Sequence, residues 1–205
     1  MSVQQQQALD SLYALDNVLT IKITMPQADW DAVRTEEPAG GRCNFNWKGG
    51  DRYTWSKTTS VEISGTSFPA RTTFTQVGIK KKSFCGSVDS EKPCLHLDFG
   101  KFSDANVPVV EGLIGSRYVT LNNSVQDNAY IRQPLGYKLL GMAGLPHSRC
   151  NFAPGVCEWS ADWPRVGRRQ QSGYLCQCRS GHEALYQAQF QWQYERQSVR
   201  NCTHG

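Results

Sequence analysis

Residues 115–153 carry the clearest strand-to-helix pattern in the chain, and the remaining elements have to be arranged around it. A strand over residues 117–121 leads into a polar turn, and a helix is predicted over residues 129–142. The turn is rich in side chains that can accept hydrogen bonds from free helix N–H groups, namely Asn122, Asn123, Ser124 and Asp127. The apolar residues of this helix recur three or four apart and so form one face, which we expect to pack on a sheet: Ile131, Leu135, Leu139 and Met142.

The ends of this helix are marked by conformationally special residues. Asp127 is better explained as an N-cap than as a metal ligand, and Pro134 falls in the early turns, where a missing N–H costs least. Gly144 can close the helix in a left-handed conformation, and Pro146 prevents the helix from continuing. We therefore expect one well-defined helix that packs on the preceding strands.

Most of the chain before residue 115 has the pattern of strands. Residues 18–25 alternate cleanly, with Leu19, Ile21, Ile23 and Met25 facing one way. A short helical turn follows Pro26, and further strands are predicted over residues 53–55, 59–63, 73–80 and 95–99, with turns at Gly65 and Pro69. Residues 1–17 form either a leader or a short helix. The order predicts an α+β fold, a twisted antiparallel sheet with one main helix.

Charge and hydropathy exclude several classes of protein. The net charge of +4 comes without a basic run or stripe, which argues against a nucleic-acid partner. No stretch of about 18 apolar residues is present, so we expect no membrane span. The N-terminal residues have neither a basic start nor an apolar core and do not form a signal peptide.

Four segments in order resemble the spore-coat protein H (CotH) family of atypical protein kinases. They are ITMPQADWDAV, VGIKKKSF, LHLDFGKF and the long stretch VTLNNSVQDNAYIRQPLGYKLLGMAGLPHSRCNFA. The resemblance spans residues 18–153 and implies the N-terminal lobe of a divergent protein-kinase-like fold. It also implies ATP and a divalent metal ion (Mg or Mn) as cofactors and a protein Ser/Thr substrate. Many family members are secreted or displayed on surfaces.

The resemblance places the nucleotide phosphates near the lysines of VGIKKKSF. Lys82, immediately before Ser83, is the first candidate, and strand alternation puts Lys80 on the same face and Lys81 on the opposite one. A solvated basic strand end is an equally good explanation. Arg132 is a second candidate, although an exposed helix arginine is the commoner explanation. The chain has no GxGxxG or Walker pattern that would locate phosphates independently.

Two histidines, His96 and His147, are possible catalytic groups. His96 alternates with Leu95 and Leu97 in a strand, which favours a structural role. His147 lies in the loop after the helix, beside Ser148. A Ser/His hydrolase is disfavoured because no nucleophile-elbow motif accompanies them.

The chain changes character after Ala153. Residues 154–205 contain no lysine or isoleucine but hold three of the six tryptophans and four of the eight cysteines, and we expect this tail to be irregular. Read one nucleotide later, Trp163-Pro164 and Trp192-Gln193 must encode glycine, and residues 157–164 can encode VNGQLIGP. That stretch resembles the NG hairpin that the family has next. Our hypothesis is that the tail is an out-of-frame translation, which the source nucleotide sequence would decide.

This hypothesis limits the activity that we expect. The family's metal-binding and catalytic carboxylates would follow the replaced segment, and phosphoryl transfer needs both positioned metal ions and a group that orients the nucleophile. We therefore expect a truncated, CotH-like lobe without kinase activity, with an exposed apolar face and marginal stability.

Two other functions stay open. The tail offers zinc ligand types, although their spacing is not that of a standard paired knuckle: Cys157, Cys176, Cys178, His182, Cys202 and His204. A noncatalytic secreted or cell-surface binding module is the other alternative. A Cys85–Cys94 disulfide would favour secretion, but free buried thiols are also consistent with the remaining cysteines, and four cysteines allow three pairings: Cys43, Cys85, Cys94 and Cys150.

Overall fold

A computed structural model describes residues 3–14, 16–65, 68–127, 129–153, 155–158 and 174–178. It confirms an α+β fold but corrects the prediction of one main helix, because the described residues form four. These are α1 (Val3–Leu12), α2 (Gln27–Thr35), α3 (Asn106–Ile114) and α4 (Arg132–Met142).

In the described residues, ten strands form two sheets, and nearly all of their pairings are antiparallel. The strands are β1 (Leu19–Thr24), β2 (Ser56–Lys57), β3 (Ser60–Gly65), β4 (Phe68–Thr75), β5 (Gly78–Lys81), β6 (Leu95–Asp98), β7 (Tyr118–Asn122), β8 (Arg149–Ala153), β9 (Gly155–Glu158) and β10 (Tyr174–Cys178). One sheet has four strands in the order β4-β3-β1-β9, in which β1 and β9 are parallel. The other has six, in the order β2-β5-β6-β7-β10-β8.

The two sheets and three of the helices share one hydrophobic core. Strand alternation in β1 points Leu19, Ile21 and Ile23 inward, as predicted, and Met25 beyond the strand end is also buried. The six-stranded sheet adds Ile79, Leu95, Leu97, Val119 and Leu121. The helices α1, α2 and α3 cover this core with Leu9, Leu12, Trp30, Val33, Val110 and Ile114.

Several local predictions fail where the backbone turns. Residues 73–80 are not one strand, because Gln76 takes a φ of 56° between β4 and β5. Pro69 lies within β4 and not in a turn, and residues 53–55 precede the short strand β2. The tail, predicted to be irregular, contributes β9 and β10 to the two sheets.

The prediction for α4 is wrong about the buried face and about the first residue, which is Arg132 and not residue 129, although it is right about the last residue, Met142. Ile131, Leu135, Leu139 and Met142 are 55%, 52%, 56% and 76% exposed. The helix instead buries Pro134, and Gly141 lies so close to His147 that an added Cβ would come within 2.9 Å of the imidazole. Gly144 has a φ of +69°, as expected for a left-handed helix end.

The prediction that Asp127 is the N-cap of α4 is wrong, because the N-cap is Ile131, which makes no side-chain capping hydrogen bond. The Asp127 carboxylate nevertheless accepts a hydrogen bond of 2.8 Å from the backbone N–H of Arg132, the first residue of the helix. None of the helices in the described part of the chain combines the length and the apolar character that a bilayer crossing requires.

Candidate anion-binding face of the six-stranded sheet

The three consecutive lysines at the end of β5 point to opposite sides of the six-stranded sheet. Lys81 lies on the core side and is 1% exposed, whereas Lys80 and Lys82 are half-buried on the outer side. The alternation predicted from sequence is therefore confirmed. The strand register places Lys80 opposite His96 on β6, and His96 opposite Thr120 on β7. We call the outer side that carries these residues the polar face.

Lys82 lies beside two further hydrogen-bonding groups on the polar face. Its ammonium is 3.4 Å from the Thr120 hydroxyl, which in turn is 3.2 Å from Nδ1 of His96. The backbone N–H of Lys82 donates to the carbonyl of Cys94 at 2.8 Å, which fixes the start of its side chain. The Lys82 ammonium can donate to an anion, and the Thr120 hydroxyl can do so as well when His96 donates to it through Nδ1.

Lys80 is held by an acidic and an aromatic side chain. Its ammonium forms a 2.8 Å ion pair with Asp51 and lies 4.4 Å from the centre of the Trp55 ring. The hydrogen bond from Lys80 holds the pKa of the Asp51 carboxyl below its usual value. Lys80 would therefore have to leave Asp51 to bind a phosphate.

Lys81 has a structural role at the end of α2. Its ammonium donates to the carbonyls of Arg34 and Glu36 at 2.9 and 3.1 Å. These carbonyls lie at the C-terminal end of the helix, where free acceptors and the negative end of the helix dipole favour a cation. Burial lowers the pKa of Lys81.

Arg132, the second sequence candidate, is exposed at the start of α4. It forms a 3.7 Å ion pair with Asp127 and donates to the carbonyl of Gln126 at 3.4 Å. The neighbouring Gln133 accepts a 2.6 Å hydrogen bond from Asn122 at the end of β7, so the helix begins near the polar face. Arg132 itself is engaged with the loop that caps its own helix.

The cysteine pairing differs from the one considered above. Cys43 and Cys85 form a disulfide, and Cys94 and Cys150 are buried. The backbone N–H of Cys85 donates to the carbonyl of Arg42 at 2.9 Å, which brings the loop holding Cys43 against residue 85. Cys94 instead lies 3.1 Å from the Asn123 side-chain oxygen, and burial raises the pKa of its thiol.

The zinc prediction lies largely outside the described residues. His182, Cys202 and His204 fall there entirely, and only the backbone strands are described at Cys157, Cys176 and Cys178. Within the described side chains, no group of three His, Cys, Asp or Glu residues is placed to hold a metal ion. His147 contacts α4 and the carbonyl of Leu145 at 3.1 Å.

Two clefts are lined partly by carboxylates, and the first of them shares Asp51 and Trp55 with the surroundings of Lys80. One, of about 340 Å³, is bordered by Glu36, Glu37 and Asp51 together with Arg52. The other, of about 460 Å³, is bordered by Glu37, Asp89 and Glu91 together with Arg42 and Lys81. Because carboxylates repel phosphates, the polar face is the better place for a phosphate.

Sequence reasoning missed most of the neighbours of the lysines on the polar face. Asp51 and Trp55, which contact Lys80, belong to a loop whose sequence has no hydrophobic periodicity. Thr120 lies near Lys82 because of the way in which β6 and β7 are paired. The alternation of β7 was the one available signal for Thr120.

A scan against protein-family models and searches of curated proteins and of solved structures give no match to this chain.

Proposed function

We propose that this chain is a CotH-like lobe that binds nucleotide phosphates on its polar face and does not transfer the phosphoryl group. One observation carries the proposal, namely that three polar groups lie together. The Lys82 ammonium is 3.4 Å from the Thr120 hydroxyl, which is 3.2 Å from Nδ1 of His96. The four sequence segments that resemble the CotH family supply the identity of the anion, ATP. An antiparallel sheet with a helix starting beside it is compatible with the N-terminal lobe of that family.

The described residues suit the phosphates better than the metal ion that the resemblance implies. The donors around Lys82 fit an anion, whereas no group of three His, Cys, Asp or Glu side chains in the described residues is placed around a metal position. When bound, such a metal would neutralise charge on the phosphates. In our proposal the chain's own part is limited to binding: Lys82 supplies the charge and Thr120 a hydroxyl donor.

The experiment is a titration of the purified chain with ATP, ADP and adenosine, measured by calorimetry. We expect binding to weaken from ATP to ADP to adenosine, and Lys82→Met to weaken ATP binding at least about tenfold, since a charge-assisted hydrogen bond contributes roughly 1.5–3 kcal/mol. Lys138→Met, on the exposed side of α4, is the matched control and should bind ATP like the unaltered chain. Equal affinity for ATP and adenosine, or an unaffected Lys82→Met variant, would contradict the proposal.

Phosphoryl transfer is tested separately from binding. We expect no ATP-dependent incorporation of labelled phosphate into the chain or into a panel of protein substrates. Incorporation that disappears in Lys82→Met would show that the chain is an active kinase, and the noncatalytic part of the proposal would then be wrong.

A noncatalytic secreted or surface binding module is the second candidate. The Cys43–Cys85 disulfide favours it, because structural disulfides persist mainly in oxidising compartments. Rapid alkylation of the chain in the cells that produce it, followed by peptide mapping, tests this candidate. Finding both cysteines alkylated as free thiols in those cells would remove its support.

A further inference from the structure

The outer side of α4 carries apolar side chains that the fold leaves uncovered. Ile131, Leu135, Leu139 and Met142 are each more than half exposed. Because successive residues of a helix are rotated by about 100°, these four side chains fall within an arc of about 80°. We call these four residues the apolar row. Contiguous exposed apolar surface of this kind is typical of sites that contact another protein or a membrane.

The apolar row protrudes from the protein surface. Side chains that keep more than half of their surface exposed stand out from the fold and do not line a groove, and neither of the two clefts described above includes a residue of α4. The row is about 16 Å long, because each helical residue advances the chain by about 1.5 Å. Exposed apolar residues continue in the segments on either side of it, with Tyr130 before the helix and Leu145 after the left-handed turn at Gly144.

Two cations flank the apolar row, one on each side. On the same helical spacing, Lys138 lies about 55° to one side of the centre of the row and Arg132 about 65° to the other. Both are exposed, and although Arg132 forms a 3.7 Å ion pair with Asp127, 78% of its side chain remains accessible. Residues 129–153 contain no Asp or Glu. The surroundings of the apolar row therefore suit a negatively charged partner.

We propose that α4 binds the surface of a membrane that contains anionic lipids, with the apolar row as the contact face. The helix lies parallel to the membrane, and its four apolar side chains enter the boundary between the headgroups and the acyl chains. Lys138 and Arg132 have long apolar stems, so their charged ends can reach the lipid phosphates on either side of the row. The helix contacts the membrane in this way without crossing it.

A lipid surface suits the apolar row better than a protein partner. A folded protein would need a groove shaped to the protruding side chains, whereas headgroups and acyl chains deform around them. A second copy of this chain is disfavoured by charge, because two copies of α4 packed about a two-fold axis would bring their basic margins together. This inference goes beyond the nucleotide-phosphate proposal, since it uses none of the groups on the polar face.

The test is co-sedimentation of the full chain with vesicles of phosphatidylcholine, either alone or with about 30% phosphatidylserine, at low salt. We expect the chain to bind the anionic vesicles at least about tenfold more tightly than the neutral ones, with affinity that falls as salt rises. Leu139→Gln should weaken binding to the anionic vesicles about fivefold, because it removes apolar surface from the lipid boundary. Lys138→Gln should also weaken it about fivefold, but leave binding to neutral vesicles unchanged.

The matched controls are exposed residues of other elements. Val109→Gln changes an exposed apolar residue of α3, and Lys48→Gln removes an exposed lysine of the loop after α2. Both variants should bind the anionic vesicles like the unaltered chain. Circular dichroism confirms that each variant is folded.

Several outcomes would overturn the proposal. They are no binding to the anionic vesicles, equal binding to anionic and neutral vesicles, and an unaffected Leu139→Gln variant. A dimer in light scattering that Leu139→Gln separates would show that a second copy covers the apolar row instead. Leu139→Gln should bind ATP normally and Lys82→Met should bind vesicles normally, so this proposal and the nucleotide-phosphate proposal can fail independently.

Discussion

The ammonium of Lys81 donates a 2.9 Å hydrogen bond to the carbonyl of Arg34, the residue before the last of α2. It also reaches the carbonyl of Glu36, so one buried cation closes the C-terminal end of that helix. Lys81 and Lys82 are adjacent in sequence, yet the first stabilises the fold and the second faces a candidate ligand site. Paired substitutions can separate the two roles.

Lys81→Met should destabilise the chain by about 1–3 kcal/mol, because two partly buried carbonyls lose their donor. Lys82→Met should change the free energy of unfolding by less than about 0.5 kcal/mol and act on ligand binding instead. Urea unfolding of both variants provides the comparison. A Lys81→Met variant as stable as the unaltered chain would show that Lys81 does not hold the end of α2.

Tyr53 should make stability decrease at high pH. Its hydroxyl donates to the carbonyl of Ser83 at 3.2 Å, and burial raises its pKa from 10.0 to about 12. A raised pKa means that the folded state keeps the phenolic proton after the unfolded state has lost it. The stability contribution is therefore complete below pH 10 and declines toward pH 12, by at most about 2–3 kcal/mol.

The matched variant for this pH effect is Tyr53→Phe. It loses the hydrogen bond to Ser83 and should be less stable than the unaltered chain at pH 8, by roughly 1 kcal/mol. As the pH rises from 10 toward 12, urea unfolding should show this difference in stability shrinking, since only the unaltered chain has the phenol. A gap that stays constant with pH would rule out the raised pKa.

The Cys43–Cys85 disulfide closes a loop between residues 42 positions apart. Loss of this bond in Cys43→Ser should lower the free energy of unfolding by about 2–4 kcal/mol through the greater freedom of the unfolded chain. Peptide mapping without reduction should find Cys43 joined to Cys85, and Cys94 and Cys150 should react with alkylating reagents only after denaturation. A Cys85–Cys94 peptide would contradict this pairing.

The exposed apolar side of α4 should tolerate polar substitution. Leu139→Gln and Met142→Gln remove side chains that are 56% and 76% exposed, and each should change stability by less than about 0.5 kcal/mol. Leu97→Ala, at a fully buried position of β6, should instead cost about 2–5 kcal/mol. A large loss at Leu139 would mean that this face is covered in solution.

Sequence pattern predicted the elements whose apolar residues follow one clear period. Two features could be predicted because each depends only on strand geometry. They are the alternation in β1 and the side of the sheet to which Lys80, Lys81 and Lys82 point. The helix α3 escaped prediction since Pro108 and Gly112 interrupt a helical pattern, although Val110 and Ile114 are buried as a helix requires.

The face that α4 buries could not be read from its apolar residues. Packing is decided by Pro134 and by Gly141, whose missing side chain lets His147 approach. The candidate site was predictable only for its lysines. Trp55 lies on the polar face next to Gly78, two positions before Lys80, where a Cβ would come within 3.1 Å of the indole ring. A contact between a loop residue and a strand residue leaves no periodic pattern in the sequence.

The strands β8 and β9 join the two sheets, and only one residue lies between them in the sequence. β8 ends at Ala153 in the six-stranded sheet, and β9 begins at Gly155 in the four-stranded sheet. A chain segment this short cannot absorb relative movement of its two ends. A pulling force applied to either sheet would therefore be transmitted directly to the other sheet through this junction.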